Sequence, residues 1–220
     1  MSIHDNSIEV TSKEKVNYRL FLPKSYQDNE ESKWPLILYL HGAGERGTDQ
    51  IKLRKYGLFP FIESKADFPF VVLAPLCPKG EVWDFQYKNI MNLLDQIQTD
   101  YSIDSNRIYL TGMSMGGQAT WNFAIYNPSR FAAIAPVCGC IASPNTCKKL
   151  SKVPIWTFHG KKDQAIPFEE TQKIVDILSP LNPNLKFSVY EVNGHEVCTM
   201  AYEDLDLYEW LLEQKKNLIE

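Results

Sequence analysis

The segment PLILYLHG (35–42) is apolar almost without interruption and ends in a turn. A strand with water on one side alternates apolar and polar residues, so a run this continuous fits a strand covered on both faces. FVVLAP (70–75), RIYLTG (107–112), FAAIAPVCG (131–139), VPIWTFHG (153–160) and KFSVYEV (186–192) repeat the style, and several stop at Gly or Pro. VNYRLFLP (16–23) alternates instead. Between these runs the apolar period lengthens to that of a helix. Ile90, Leu93, Leu94, Ile97 and Tyr101 form one stripe, and helices are predicted over 115–127, 168–178 and 202–214, the last with Leu205, Tyr208, Leu211 and Leu212 on one face. Strands alternating with helices predict an α/β fold: a mostly parallel central sheet with helices on both faces. At 220 residues one domain over 1–220 is expected.

In such sheets ligands bind beyond the carboxyl ends of the strands. Four loops therefore carry the search: HGAGERG (41–47), GMSMGG (112–117), HGKKD (159–163) and NGHEV (193–197). Gly112-Met113-Ser114-Met115-Gly116 matches the G-x-S-x-G elbow, in which a tight strand-to-helix turn exposes a serine and side chains at the flanking positions would collide. A bland reading, a serine that merely tolerates a turn, has to be weighed against it. A strand before, a helix after and two partners in order favour the nucleophile. A serine hydroxyl needs a base, and Asp163 and His195 follow Ser114 in the chain order of this arrangement, each in a loop after a strand. In these roles His195 takes the Ser114 proton and Asp163 fixes the imidazole tautomer. The backbone N–H groups of Met115 and Ala43 are the expected oxyanion donors.

These residues carry a resemblance. LYLHGAGERGTD (38–49), APLCP with Trp83 (74–83), DSNRIYLTGMSMGGQATW (104–121), APVCG (135–139), PIWTFHGKKDQAIP (154–167) and GHEVCTMAY (194–202) are similar, in order across nearly the whole chain, to compact α/β-hydrolases. More narrowly, they resemble the compact esterases related to polyhydroxybutyrate depolymerases, feruloyl esterases and the phospholipase/carboxylesterase group. The resemblance implies hydrolysis of a carboxylic ester by a serine esterase with neither metal nor organic cofactor. Where such relatives often place tryptophan, three residues after the histidine, this chain has Cys198, an exchange expected to open the pocket beside His195.

Trp83 and Cys198 are candidate substrate contacts, with Ile166 and Ile141 further pocket positions. A buried anchor is the other reading of Trp83. Glu45 and Arg46 either meet substrate or brace their loop. His41 and His159, at strand ends, are assigned to packing and backbone hydrogen bonds, and His4 to a frayed terminus. Only about two dozen residues separate Gly139 from Asp163, which leaves no room for a large lid. Short- to medium-chain, aryl or carbohydrate-linked esters are the expected substrates. A peptidase or amidase related to the prolyl oligopeptidases, and a silent binding module on a hydrolase fold, are the alternatives.

A net charge of −4 provides no basic footprint for nucleic acid, and no apolar run is long enough to span a membrane. The expected partner is a small ester, with the protein a monomer or homodimer. Five cysteines without a CxxC…CxxC spacing predict no zinc site and read as buried thiols. A bridge from Cys138 or Cys140 to Cys147 is the alternative. The opening MSIHDNSIEV lacks a secretion signal, so a cytoplasmic location is expected, with export left open.

Overall fold

The computed structural model describes residues 2–11, 14–26, 32–65 and 67–216. Its strands are β1 (Ser2–Thr11), β2 (Glu14–Leu22), β3 (Trp34–Leu40), β4 (Val71–Pro75), β5 (Ile103–Met113), β6 (Ala133–Val137), β7 (Ile155–Gly160) and β8 (Leu185–Tyr190). They form a single sheet in the order β1-β2-β4-β3-β5-β6-β7-β8. Pairing is antiparallel for β1–β2 and β2–β4 and parallel from β4 through to β8. This is the mostly parallel sheet that the apolar runs predict.

Among the described residues six α-helices cover it: α1 (Leu58–Glu63), α2 (Trp83–Asp100), α3 (Met115–Tyr126), α4 (Phe168–Leu178), α5 (Val197–Met200) and α6 (Leu205–Glu213). Successive residues of β3 point to opposite faces. Leu36, Leu38 and Leu40 join the apolar faces of α2, α3 and α4, whereas Ile37 and Tyr39 join those of α1, α5 and α6. Each such side chain contributes about 1.5–3 kcal/mol on leaving water. A strand buried on both faces gains on every residue, so β3 sits in mid-sheet and shows no alternation. Among the described residues, no helix is long and apolar enough to cross a membrane.

The outer strand departs from expectation. His4 lies not in a frayed end but in β1, opposite Leu20 of β2. The segment is too polar to read as a strand because an edge strand is held by its ladder and cross-strand pairs more than by burial. Asp5 faces Arg19 in register, and the guanidinium grips its carboxylate with two hydrogen bonds of 2.7 and 2.9 Å. The last helix is also shorter than predicted. Asp204 caps it by accepting from Asp206 N–H, so Tyr202 lies outside it, and Leu205 is 56% exposed rather than on the buried face.

The elbow owes its shape to three backbones in close approach. A Cβ on Gly116 would lie 1.8 Å from the Leu40 carbonyl oxygen, and one on Gly112 would lie 2.5 Å from that of Gly116. Neither obstacle is a side chain that can swing aside. Gly44, in the loop after β3, has open space where its Cβ would be. Gly116→Ala is therefore expected to cost about 3 kcal/mol or more and to lower Tm by roughly 6–12 °C, and Gly44→Ala to shift it little. Thermal melts of the two variants compare the costs directly. Equal Tm values would mean that α3 can move off β3 freely.

Candidate active site

Ser114 joins β5 to α3 with φ 55° and ψ −118°, a left-handed conformation costing a non-glycine residue about 1–3 kcal/mol. Its N–H donates to Val137 O at 2.9 Å, and α3 is fixed by the glycine contacts at β3, so the hydroxyl is held at the tip of the turn. His195 arrives in the loop after β8, its Nε2 2.9 Å from Ser114 Oγ. Its Nδ1 lies 2.7 Å from Asp163 Oδ2. A carboxylate only accepts, so Nδ1 carries the proton and Nε2 turns its lone pair to the serine hydroxyl. The Asp163 side chain is fully buried. Its Oδ1 accepts from the N–H groups of Ala165 and Ile166, both at 2.9 Å, and Oδ2 also lies 3.3 Å from His159 Nε2. Those donors replace the water that a buried carboxylate loses.

His159 thus supports the aspartate from behind, with its Nε2 also 2.9 Å from Ile166 O and its Nδ1 2.8 Å from Thr171 Oγ1. Desolvation by burial lowers its pKa, which keeps it neutral. His41 has the matching job under the loop after β3. Cys77 N–H donates to its Nε2 at 3.0 Å, so Nδ1 carries the hydrogen and donates to Gly42 O at 2.6 Å. Burial lowers its pKa to about 4, and the ring stays neutral. Both histidines are braces, as their strand-end positions suggest.

Trp83 needs correction as a pocket wall. It is 1% exposed, packs edge-on against His41 and donates its indole N–H to His41 O at 3.0 Å. It anchors the loop from beneath and shows substrate almost no surface. Glu45 is likewise buried, its Oε2 3.8 Å from His41 Nδ1. Arg46 holds the loop in shape by donating to Ala43 O and Glu81 O at 3.0 and 3.1 Å. Ala43 itself is exposed, and Met115 is the first residue of α3, where an N–H has no acceptor within the helix. Ile166 is half-buried and Ile141 is buried in the core. A cleft of about 590 Å³ opens beside Ala43, lined also by Arg46, Lys52, Lys79, Thr48 and Asp49, and includes neither Ser114 nor His195.

All five cysteines are free, so no bridge to Cys147 forms. Cys198 is buried with its Sγ 3.7 Å from His195 Nε2, on the serine side of the ring. That contact first, and the Asp163 carboxylate next, favour the His195 imidazolium over opposing desolvation and raise its pKa from 6.5 to about 9. Cys138 first, against desolvation, and then His195 lower the Cys198 thiol from 9.0 to about 6. The two groups meet at His195 Nε2, but they share only part of their shifts, since Cys138 acts first on Cys198. Nothing in the sequence links Cys138 to Cys198, because their nearness is purely tertiary.

The fold and this constellation define an α/β-hydrolase. Residues 82–208 match the phospholipase/carboxylesterase family, and the chain belongs to that family. A bifunctional acetylxylan esterase/xylanase from Neocallimastix patriciarum is 31% identical over 147 residues, 63% of this chain and 20% of that protein. Acetylxylan esterase A of Emericella nidulans is 26% identical over 131 residues, 54% of this chain and 40% of its own length. The chain thus spans well under half the length of these curated relatives. Among solved structures, a thermostable esterase superposes with TM-score 0.83 at 29% identity, covering 97% of this chain and 63% of that one. A feruloyl esterase module from Clostridium thermocellum, complexed with sinapinate, reaches 0.75 at 15% identity over 96% and 86% of the two chains, a likeness of fold alone.

A base must be neutral to accept a proton, so its action is lost as pH falls through its pKa. With that pKa raised, the rising limb of kcat/KM against pH should centre above 6.5. Cys198→Ala removes the first raising cause and should move the midpoint down by about one unit or more. Identical midpoints in the two proteins would show that Cys198 does not act on His195.

Proposed function

We propose that the chain is a serine carboxylesterase, working as a single catalytic domain through an acyl-enzyme on Ser114. The observation that carries this reading is the unbroken line from Ser114 Oγ through His195 to the buried Asp163, at 2.9 and 2.7 Å. As Oγ attacks the ester carbonyl carbon, its proton passes to His195 Nε2. The carbonyl oxygen becomes an oxyanion, received by the N–H groups of Met115 and Ala43. His195 then gives the proton to the departing alcohol, and water repeats the sequence on the acyl-enzyme. Asp163 holds the imidazolium in place throughout.

Substrate choice is read from the cleft beside Ala43, the residue assigned an oxyanion donor. The cleft beside Ala43 is open and carries Arg46, Lys52 and Lys79, a poor home for a long alkyl chain. Esters of small acyl groups, and of aryl acids or carbohydrates whose polar parts reach that cleft, fit better. The acetylxylan esterases among its relatives point the same way. Every reacting group comes from one chain, so a monomer and a homodimer would each carry complete sites. In a reducing cytoplasm the five cysteines stay thiols.

Hydrolysis of p-nitrophenyl esters from acetate to octanoate should peak at the short end, exceed hydrolysis of the matching anilides, and fall about 10⁴-fold or more in Ser114→Ala. A preference for octanoate would remove the substrate assignment, anilide rates equal to ester rates would favour an amidase, and an unchanged rate in the variant would remove the nucleophile.

A further inference from the structure

Cys138, His195 and Cys198 bring two sulfurs and one imidazole nitrogen within 4.8 Å of one another. Triad chemistry asks for neither thiol. Cys138 is far in sequence from the His195–Cys198 pair, which is why no spacing marks all three together. Cys138 follows β6 with φ 46°, its N–H donating to Phe158 O at 2.9 Å. His195 and Cys198 form a His-x-x-Cys turn, closed by Cys198 N–H donating to His195 O at 3.1 Å.

We propose that this triangle is a binding site for a thiophilic divalent cation, Zn²⁺ or Cd²⁺, and that occupancy switches the esterase off. Sulfur and nitrogen bound to one tetrahedral zinc at about 2.3 and 2.0 Å lie about 3.5 Å apart. Cys198 Sγ and His195 Nε2 already lie 3.7 Å apart. The imidazole is also prepared as a ligand should be. Its Nδ1–H is donated to the Asp163 carboxylate at 2.7 Å, the outer partner that fixes the tautomer of metal-bound histidines and makes the other nitrogen more basic. The group that orients the catalytic base therefore orients an equally good metal ligand. Ser114 Oγ, 2.9 Å from the same nitrogen, borders the fourth position. With its side chain 33% exposed, His195 offers the route in from solvent.

A second cluster, Cys138, His159 and Asp163, lies alongside but has no ligand to spare. His159 Nε2 faces the Ile166 carbonyl and the Asp163 carboxylate, which only accept, so it keeps its hydrogen and offers no lone pair, whereas His195 Nε2 faces a hydroxyl that can turn away. The cation thus selects the first cluster. On binding, both thiols give up their protons to solvent and the sulfurs and Nε2 each donate a lone pair to the ion. Ser114 then has no acceptor for its proton. Inhibition rests on the proposed role of His195, but binding does not.

The test is a Cd²⁺ titration of the protein in a non-chelating reductant, read by the ultraviolet thiolate-to-cadmium charge-transfer band and by ester hydrolysis. One cadmium per chain should bind with this band, and hydrolysis should stop and return when a chelator is added. Cys198→Ser and Cys138→Ser should each lose the band and need about 10–100-fold more metal for half-inhibition, each relative to its own metal-free rate. Cys140→Ser should behave as the parent does. Cys198→Ser alone suffices if Cys138→Ser does not fold. Cadmium binding without the band, or Cys198→Ser inhibited at the parent's metal concentration, overturns the proposal. A band in a protein that hydrolyses no ester would leave the metal site standing and defeat the esterase reading alone.

Discussion

Ser114 stands in a backbone conformation that a serine avoids, and most of the structure can be read as what keeps it there. Gly112 and Gly116 let β5, α3 and the carbonyl of Leu40 approach within distances that forbid any Cβ. Val137 O holds the serine N–H from the next strand. The strain is local, whereas the burial that opposes its release is spread over β3, β5 and β6. The side chains over 35–40, 108–113 and 133–137 are almost wholly enclosed. A turn that would relax in isolation is thereby fixed in a packed sheet.

The polar half of the site obeys a different constraint. The Asp163 carboxylate is shut off from water, so protein donors must take the place of its lost hydrogen bonds. Ala165, Ile166, His195 and His159 supply them from one loop, one strand end and one turn. His195 is consequently aligned by electrostatics rather than by packing, and it stays partly open to solvent. Cys198 complicates this arrangement, since its sulfur meets the same nitrogen that faces the serine. That nearness is also what places a second donor atom beside the nitrogen that Asp163 orients.

Much of this was legible in the residues. Strands buried on both faces announce themselves as unbroken apolar runs, and loops at their carboxyl ends are where Ser114, Asp163 and His195 were sought and where all three meet. The geometry also bears out the sequence's bracing roles for His41 and His159. The misses have physical causes. β1 is polar because an edge strand needs hydrogen-bond partners more than burial, so Asp5 opposite Arg19 gave no periodic signal. Trp83 has the same one-letter appearance whether its indole faces a pocket or, as here, a neighbouring carbonyl. Cys138 and Cys198 meet only because β6 runs beside β7 and the His195 loop folds over both strand ends. No spacing rule in one sequence reports that.

The central claim is that Ser114 is the group His195 activates. The direct measurement is labelling with a fluorophosphonate, followed by peptide mass spectrometry to locate the adduct. The account predicts one adduct per chain on Ser114, and none in a folded His195→Ala variant. An adduct on Cys198, or no adduct on the folded parent protein, would contradict it.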